Sequence, residues 1–360
     1  IGEWETLSIW EGEDNSLNNI YSQSYPHSIG LWYSAMTKRV GLKPNEDEYI
    51  LMGMAAYGNS KRLFDDILVD FFKSIKQTSP KIKLKHNLHR GCEWWRPDLH
   101  TEQDLFDIAA GTQAVYEYLL KIISNWARCI SESGNLVLTG GCALNCAANS
   151  KIASDWDDVW IMPNPGDAGN ALGAILAYRG NRIDWNSPYL GYEIPGKYPV
   201  QELLTELEKT GIAGVANGKA EYGPRALGNR SLLADPRGSN IKDQVKAIRH
   251  RQKFRPFAPA ILEEHAADYF DSTVGPYMQF TARCRYPHKY PAIVHKDGTS
   301  RVQAVGKSDN PGFRQLLEAW YKKTGCPMLL NTSLNIKGKP IVNTEQDAQA
   351  FEEKYRVPVW

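Results

Sequence analysis

The sequence predicts an α/β protein of about two domains. Two strand–glycine turn–helix units follow one another between residues 135 and 177, a pattern that belongs to sheets flanked by helices. The chain has 360 residues, 42% of them hydrophobic and 23% charged. That is an ordinary globular composition, and its length suits roughly two units of about 150 residues.

Residues 6–10 read as a strand and 11–15 as a polar turn. Residues 28–40 read as a helix. Acidic residues at 46–48 precede the apolar run 51–58, a helix start. Residues 60–76 are amphipathic, and 77–100 read as a surface insertion containing Trp94, Trp95 and Arg96. The clearest helix covers 101–132, where Leu105, Ile108, Val115, Leu119 and Ile122 recur at helical spacing. A short buried strand is expected at 135–139, then Gly140, Gly141 and a helix over 147–153. A second strand, 159–161, leads through a Pro/Gly turn to Asp167 and a helix at 171–177. Turn formers crowd 181–199 and mark a linker. A first domain over 1–180 and a second over 200–360 follow from that boundary. The second opens with a helix at 200–210 and a strand at 212–216, and a later strand covers 328–330.

Lys and Arg total 42 against 41 Asp and Glu, a net charge of +1. This excludes a strongly basic nucleic-acid binder and a disordered acidic tail. The six cysteines have no C-x-x-C spacing and are too sparse for a disulfide scaffold. A reducing cytoplasm is the default. No apolar run approaches the ~20 residues that span a bilayer.

Chemistry concentrates in the second half. Arg225 and Arg230 lie in a Gly/Pro-punctuated loop. Arg249, Arg251, Lys253 and Arg255 precede Pro256. Arg301 closes the run 295–301, and Asn331 and Ser333 follow the strand at 328–330 as a turn. A single Arg reads best as a solvated charge. Several Arg-bearing loops beside an Asn/Ser turn suit a small, highly charged ligand, because guanidinium groups meet phosphate and carboxylate oxygens bidentately. A nucleic-acid reading of the basic run 246–255 competes, but the neutral chain argues against it. In the first half, Gly140, Gly141 and Asn145 are candidates for nucleotide contact. A plain tight turn is the bland alternative. A lone Asp such as Asp167, after an Asn-Pro-Gly turn, is more often an N-cap than a metal ligand. Cys142 and Cys146 read as small buried residues.

Seven blocks carry a resemblance in constant order: MGMAAYG (52–58), TGGCALNCAAN (139–149), MPNPGDAGNALGA (162–174), EYGPRALGNRS (221–231), KFRPFAPAIL (253–262), HKDGTSRVQAV (295–305) and MLLNTSLNIKGKPIV (328–342). Together they resemble the O-carbamoyltransferases of the nodulation and antibiotic-tailoring type. The resemblance implies a partial actin/hexokinase-like (ASKHA) domain followed by a YrdC-like open twisted α/β domain. It implies that carbamoyl phosphate and ATP form a carbamoyl-adenylate in the second domain. The carbamoyl group then passes in the first domain to a hydroxyl-bearing small-molecule acceptor. By resemblance, Arg225, Arg255, Arg301, Asn331 and Ser333 carry the adenylate chemistry, with Lys253 and Arg230 as second choices. Gly140, Gly141 and Asn145 match the nucleotide-binding turn, and Asp167 a metal-binding aspartate. The metal implied is iron, with magnesium accompanying ATP as the alternative. Neither a nucleic acid nor a membrane is implied as a partner, and a homodimer is compatible.

Departures accompany the resemblance. The family's H-x-x-x-H helix has no counterpart among the eight histidines. The chain opens at Ile1 where a second phosphate-contacting turn is expected, and it ends on a run, 356–360, that reads as interrupted. It is therefore read as a fragment. Ile50 and Gln252 stand where many members carry Lys and an acidic residue. The alternative reading is a nucleotide-binding protein without transfer activity, a sensor or scaffold. A sugar kinase ranks below both.

Overall fold

A computed structural model describes residues 4–180, 183–249, 257–272 and 274–360. Its contacts divide the chain into two compact units, Ile1–Ile161 with Pro165–Asp184, and Met162–Asn164 with Trp185–Trp360. Strands and helices mix in both, so the α/β class holds.

In the first unit, β1 (Glu5–Glu13) and β2 (Ser16–Ser24) form an antiparallel hairpin. β1 runs further than the sequence indicates, and β2 is a strand the sequence does not indicate. Their apolar and polar residues do not alternate cleanly, because much of the hairpin is exposed on both faces. Helix α1 (Ile29–Arg39) starts at Ser28, whose hydroxyl accepts the Leu31 N–H, and it buries Trp32 and Met36 completely. Helices α2 (Glu48–Met54) and α3 (Phe64–Phe71) follow. Ile50 is buried in α2.

The axis of the unit is α4 (Glu102–Ile130), 29 residues long. Thr101 and Asp104 form a capping box at its start. Ile108, Val115, Leu119 and Ile122 are buried along one stripe, as the spacing requires.

Residues 77–100 are more than a surface insertion. Ile82, Leu84, Leu88, Cys92, Trp95 and Leu99 are all buried, while Trp94 stays exposed. The Arg39 guanidinium holds the segment by donating to the carbonyls of Trp95, Arg96 and Leu99. Its irregular backbone hides this packing from periodicity.

Strands β3 (Asn135–Val137) and β4 (Asp158–Trp160) pair in parallel, followed by α5 (Cys146–Ile152) and α6 (Asn170–Arg179) respectively. The strand expected to be buried is half open, and Val137 is 69% exposed.

The second unit is built on one five-stranded sheet. The elements in chain order are β5 (Tyr189–Ile194), α7 (Val200–Thr210), β6 (Ile212–Ala216), β7 (Gly218–Glu221), β8 (Arg230–Ala234) and α8 (Ser239–Arg249). Then come β9 (Ala258–Leu262), α9 (Ala266–Tyr269), β10 (Thr281–Arg283), β11 (Thr299–Arg301), β12 (Gln303–Val305), α10 (Pro311–Thr324), β13 (Met328–Ser333) and α11 (Glu345–Tyr355). The sheet order is β12–β9–β13–β8–β6. Only β12 and β9 run parallel; the other neighbours are antiparallel. Strands β6, β8 and β9 are buried at every position, which fits their mostly apolar sequences. Helix α10 packs on α7, β9 and β13. The outer edge of β6 is paired by residues 358–360, with Gly214 N–H on Pro358 O at 2.9 Å and Ala216 N–H on Trp360 O at 2.7 Å. Strand β5, inside the stretch read as a linker, pairs with β7.

One difference matters for the site. The sequence ends the last sheet strand at Leu330, yet β13 continues to Ser333, with Asn331 opposite Leu233 and Ser333 opposite Ser231. Asn331 and Ser333 therefore sit on a strand and not on a turn. Three polar residues in a row mask a strand that its neighbours pair.

Candidate active site

In the first unit, the turns after β3 and β4 meet at the carboxyl ends of the parallel pair. Gly140 donates its N–H to Pro165 O at 2.7 Å, and the Thr139 hydroxyl donates to the same carbonyl at 3.2 Å. Gly140 has φ +90°, a conformation glycine adopts without strain, and open space lies where a side chain would project. Gly140 and Gly141 are exposed. An open glycine turn beside a second turn at the carboxyl edge of parallel strands suits ligand binding.

The turn is held from beneath by α4. The Tyr116 hydroxyl donates to Cys142 O at 3.1 Å, and the Asn149 amide donates to Ala143 O at 2.8 Å. Asn145 caps α5 through the Ala148 N–H, and its amide pairs reciprocally with that of Gln113 at 2.9 and 3.0 Å. The Tyr33 hydroxyl adds a 2.8 Å bond to Gln113. Burial, and secondarily Glu117 and Glu48, push the Tyr33 phenol well above its usual range, so it stays a donor. The side chain of Asn145 thus supports the turn.

Asp167 opens a short 3-10 turn and is exposed. Its side chain caps nothing, since the cap position of that turn is Gly166. Among the described residues no three His, Cys, Asp or Glu side chains group as metal ligands. One exposed carboxylate is too small a donor set to hold a divalent ion by itself.

In the second unit the loop 221–230 is the most tightly tied segment. Glu221 Oε1 accepts three main-chain N–H groups, from Leu227 (2.8 Å), Asn229 (2.9 Å) and Arg230 (3.1 Å). The loop carbonyls are taken as well. Asn331 Nδ2 donates to Ala226 O at 3.0 Å, Tyr189 and Gln303 both donate to Leu227 O, and Tyr198 donates to Gly228 O at 2.8 Å. Burial pushes the Glu221 carboxyl up, and the three N–H groups oppose that shift. Burial and the nearby Glu221 likewise raise the Tyr189 phenol, keeping it protonated as a donor.

The candidate residues divide by environment. Arg230 is completely buried, and its terminal nitrogens donate to the carbonyls of Tyr192, Asn217, Gly218, Asn229 and Asn343. That guanidinium faces the protein's own main chain rather than an open pocket. Its terminal nitrogens are thus committed to the fold, while its Nε is buried without a hydrogen-bond partner. Arg225 is half-buried in the arc that Glu221 closes. Arg301 ends β11, and among the described residues it makes no ion pair; its Nε is buried without a hydrogen-bond partner. Asn331 is 1% exposed; its Nδ2 also donates to Gln303 Oε1 at 2.7 Å, while its Oδ1 is buried with no partner. The Ser333 hydroxyl donates to Asn335 Oδ1 at 2.9 Å. Lys253, Arg255 and Gln252 lie outside the described residues.

Sequence reasoning missed Glu221, Gln303, Tyr189, Tyr198 and Gln113. Glu221 and Gln303 stand inside the quoted blocks, but their roles depend on main-chain atoms that no spacing reveals.

The sequence matches the family description "Carbamoyltransferase N-terminus" over residues 1–176 and "Carbamoyltransferase C-terminus" over residues 204–359. The chain belongs to the carbamoyltransferase family. Similar proteins include nodulation protein NolO of Bradyrhizobium diazoefficiens, 32% identical over 368 residues that cover 90% of this chain and 66% of the relative. Nodulation protein NolNO of Sinorhizobium fredii is 33% identical over 360 residues, covering 89% of this chain and 52% of the relative. An uncharacterised Synechocystis protein is 32% identical over 422 residues, with 97% and 68% coverage. The chain thus spans about half to two thirds of the length of these relatives. Within this chain, the two matched regions contain the two candidate sites described above, the glycine turn in the first and the Arg225 loop in the second. Among its described residues, no helix is long and apolar enough to cross a membrane.

Proposed function

We propose that this carbamoyltransferase is ATP-dependent and makes a carbamoyl-adenylate in its second unit before transfer to an acceptor hydroxyl. The atoms balance in three steps. Water releases inorganic phosphate from carbamoyl phosphate. The carbamate oxygen then displaces pyrophosphate from the α-phosphorus of ATP. Finally the acceptor hydroxyl displaces AMP from the carbamoyl carbon.

The observation that carries this reading is Asn331. Its Nδ2 fixes the carbonyl of Ala226, next to Arg225, and its buried Oδ1 lacks a donor. A buried acceptor left unpaired costs about 1–3 kcal/mol, so a ligand N–H is its natural complement. A carbamoyl –NH2 is such a donor. The buried Nε of Arg301 lacks an acceptor, and phosphate or carbamoyl oxygens supply one. Arg225 and Arg301 would offset the crowded negative charge of two phosphorylated substrates, which acts where charge develops in the transition state. In the first unit the open turn at Gly140 and Gly141 suits the adenylate's phosphate, since glycine lets it approach main-chain N–H groups. The acceptor is a hydroxyl-bearing small molecule.

The test is pyrophosphate release from ATP by the complete polypeptide, with and without carbamoyl phosphate. Release should depend on carbamoyl phosphate, and Arg225→Ala should lower it by roughly a hundredfold or more. Nucleotide binding without any such release would replace this reading with that of a nucleotide-binding protein lacking transfer activity.

A further inference from the structure

The loop that carries Arg225 is closed by one side chain. Glu221 is the last residue of β7, and its Oε1 bonds the N–H groups of Leu227, Asn229 and Arg230 at 2.8–3.1 Å. Residues 222–226 are therefore an arc tied at both ends to a single carboxylate. On the far side, Asn331, Gln303, Tyr189 and Tyr198 take the carbonyls of residues 226–228. Those four bonds fix the pinned half of the loop. The strand before the arc is joined to that half by the Asn229 amide on Lys219 O at 2.8 Å and the Arg230 guanidinium on Gly218 O at 3.1 Å, and Glu221 adds three main-chain bonds at the point where the arc leaves β7.

We infer that Glu221 is a positioning residue: its carboxylate sets where Arg225 is presented to the anionic donor. The inference rests on the reading above that Arg225 meets that donor. A carboxylate suits the task because one oxygen accepts several N–H groups at once. Its charge is offset inside the protein by Arg230, which is buried in the same loop and feels Glu221 as its principal favourable charge. The two residues divide the main chain between them, Glu221 gathering N–H groups and Arg230 gathering carbonyls. Glu221 can therefore sit beside an anion site without a bare negative charge facing it.

The experiment combines limited trypsin digestion with steady-state kinetics on the complete polypeptide. Trypsin reads the Arg225–Ala226 bond directly and does not depend on catalysis. With a closed arc the parent resists cleavage there. Glu221→Ala should be cut at that bond while its far-ultraviolet circular dichroism is unchanged. Its KM for carbamoyl phosphate should rise at least about tenfold, with kcat much less affected. Glu221→Gln keeps an acceptor oxygen at the same place and should restore most of the KM. Should Glu221→Ala not fold, Glu221→Asp decides. It keeps the charge but withdraws the oxygen by about 1.5 Å, and should show the same cleavage and a smaller rise in KM. A variant that loses stability yet resists trypsin at Arg225 and keeps its KM would overturn the inference and leave Glu221 a purely structural residue. Were the parent to show no carbamoyl-phosphate-dependent release, the functional reading would fall. The digestion would then decide only whether Glu221 holds the arc closed, cleavage upholding that tie and resistance refuting it.

Discussion

Gln113 and Asn145 lie amide against amide, each donating to the other, 32 residues apart in the sequence. The pair ties the middle of α4 to the start of α5 and so sets the height of the Gly140–Gly141 turn above the helix. Asn145→Ala removes both amide bonds and the α5 cap. A lost cap costs about 1 kcal/mol and an orphaned, partly buried amide about 1–3 kcal/mol. We expect a loss of roughly 2–4 kcal/mol in urea unfolding. Asn145→Asp, which keeps the capping oxygen, should lose less.

Arg230→Met should be among the most destabilising changes in the second unit. The parent guanidinium bonds five main-chain carbonyls from four separate stretches of chain. Removing it leaves those groups short of donors and Glu221 without its compensating charge. Breaking such buried charge systems costs roughly 3–5 kcal/mol. Arg230→Lys should recover little, because an ammonium cannot span the fork. The midpoint of denaturant unfolding reads both.

Gly228→Ala is expected to cost about 1–3 kcal/mol. Gly228 has φ +122°, and a Cβ there would lie 2.5 Å from the Phe313 ring. Phe313→Ala, which removes the Cγ and ring atoms at 2.5–2.6 Å, should relieve most of the clash but not the backbone strain. A double-mutant cycle should therefore show a favourable coupling smaller than the whole effect.

The acid limb of stability should carry a mark from Arg62. The Thr101 hydroxyl and the Arg62 guanidinium hold Asp104 at about 2, below its ordinary 3.8. Burial pulls Asp107 upward, but its bonds to Arg62, the Asn59 N–H and Gln103 outweigh that and keep it low. Folding thus favours the charged carboxylates. Their stabilisation is complete above about pH 4 and is lost as the pH falls through about 2. Arg62→Met should lower the melting temperature at pH 6. The gap to the parent should close as melts are run down to pH 2, and an unchanging gap would refute the linkage.

Much of the fold was legible in the sequence. The periodicity of α4 and the apolar runs of β6 and β9 follow from local pattern, since each must present its apolar face to a core. The glycine turn at 140–141 was legible because few residues other than glycine take the positive φ of Gly140. Less visible were the buried segment around Trp95 and the extension of β13 through Asn331. In both, long-range partners override a polar or irregular local sequence.

Order of elements, family membership and the blocks that hold the sites were determined by the sequence alone. Local pattern and residue identity suffice for those. Only the tertiary structure decided that the terminal nitrogens of Arg230 face main-chain carbonyls, although the Nε of Arg230 and that of Arg301 are both buried without a partner. Both arginines carry the same five donors. Their roles differ because Tyr192, Asn217 and Asn343, distant in sequence, converge on one of them, and no spacing within the chain encodes that convergence.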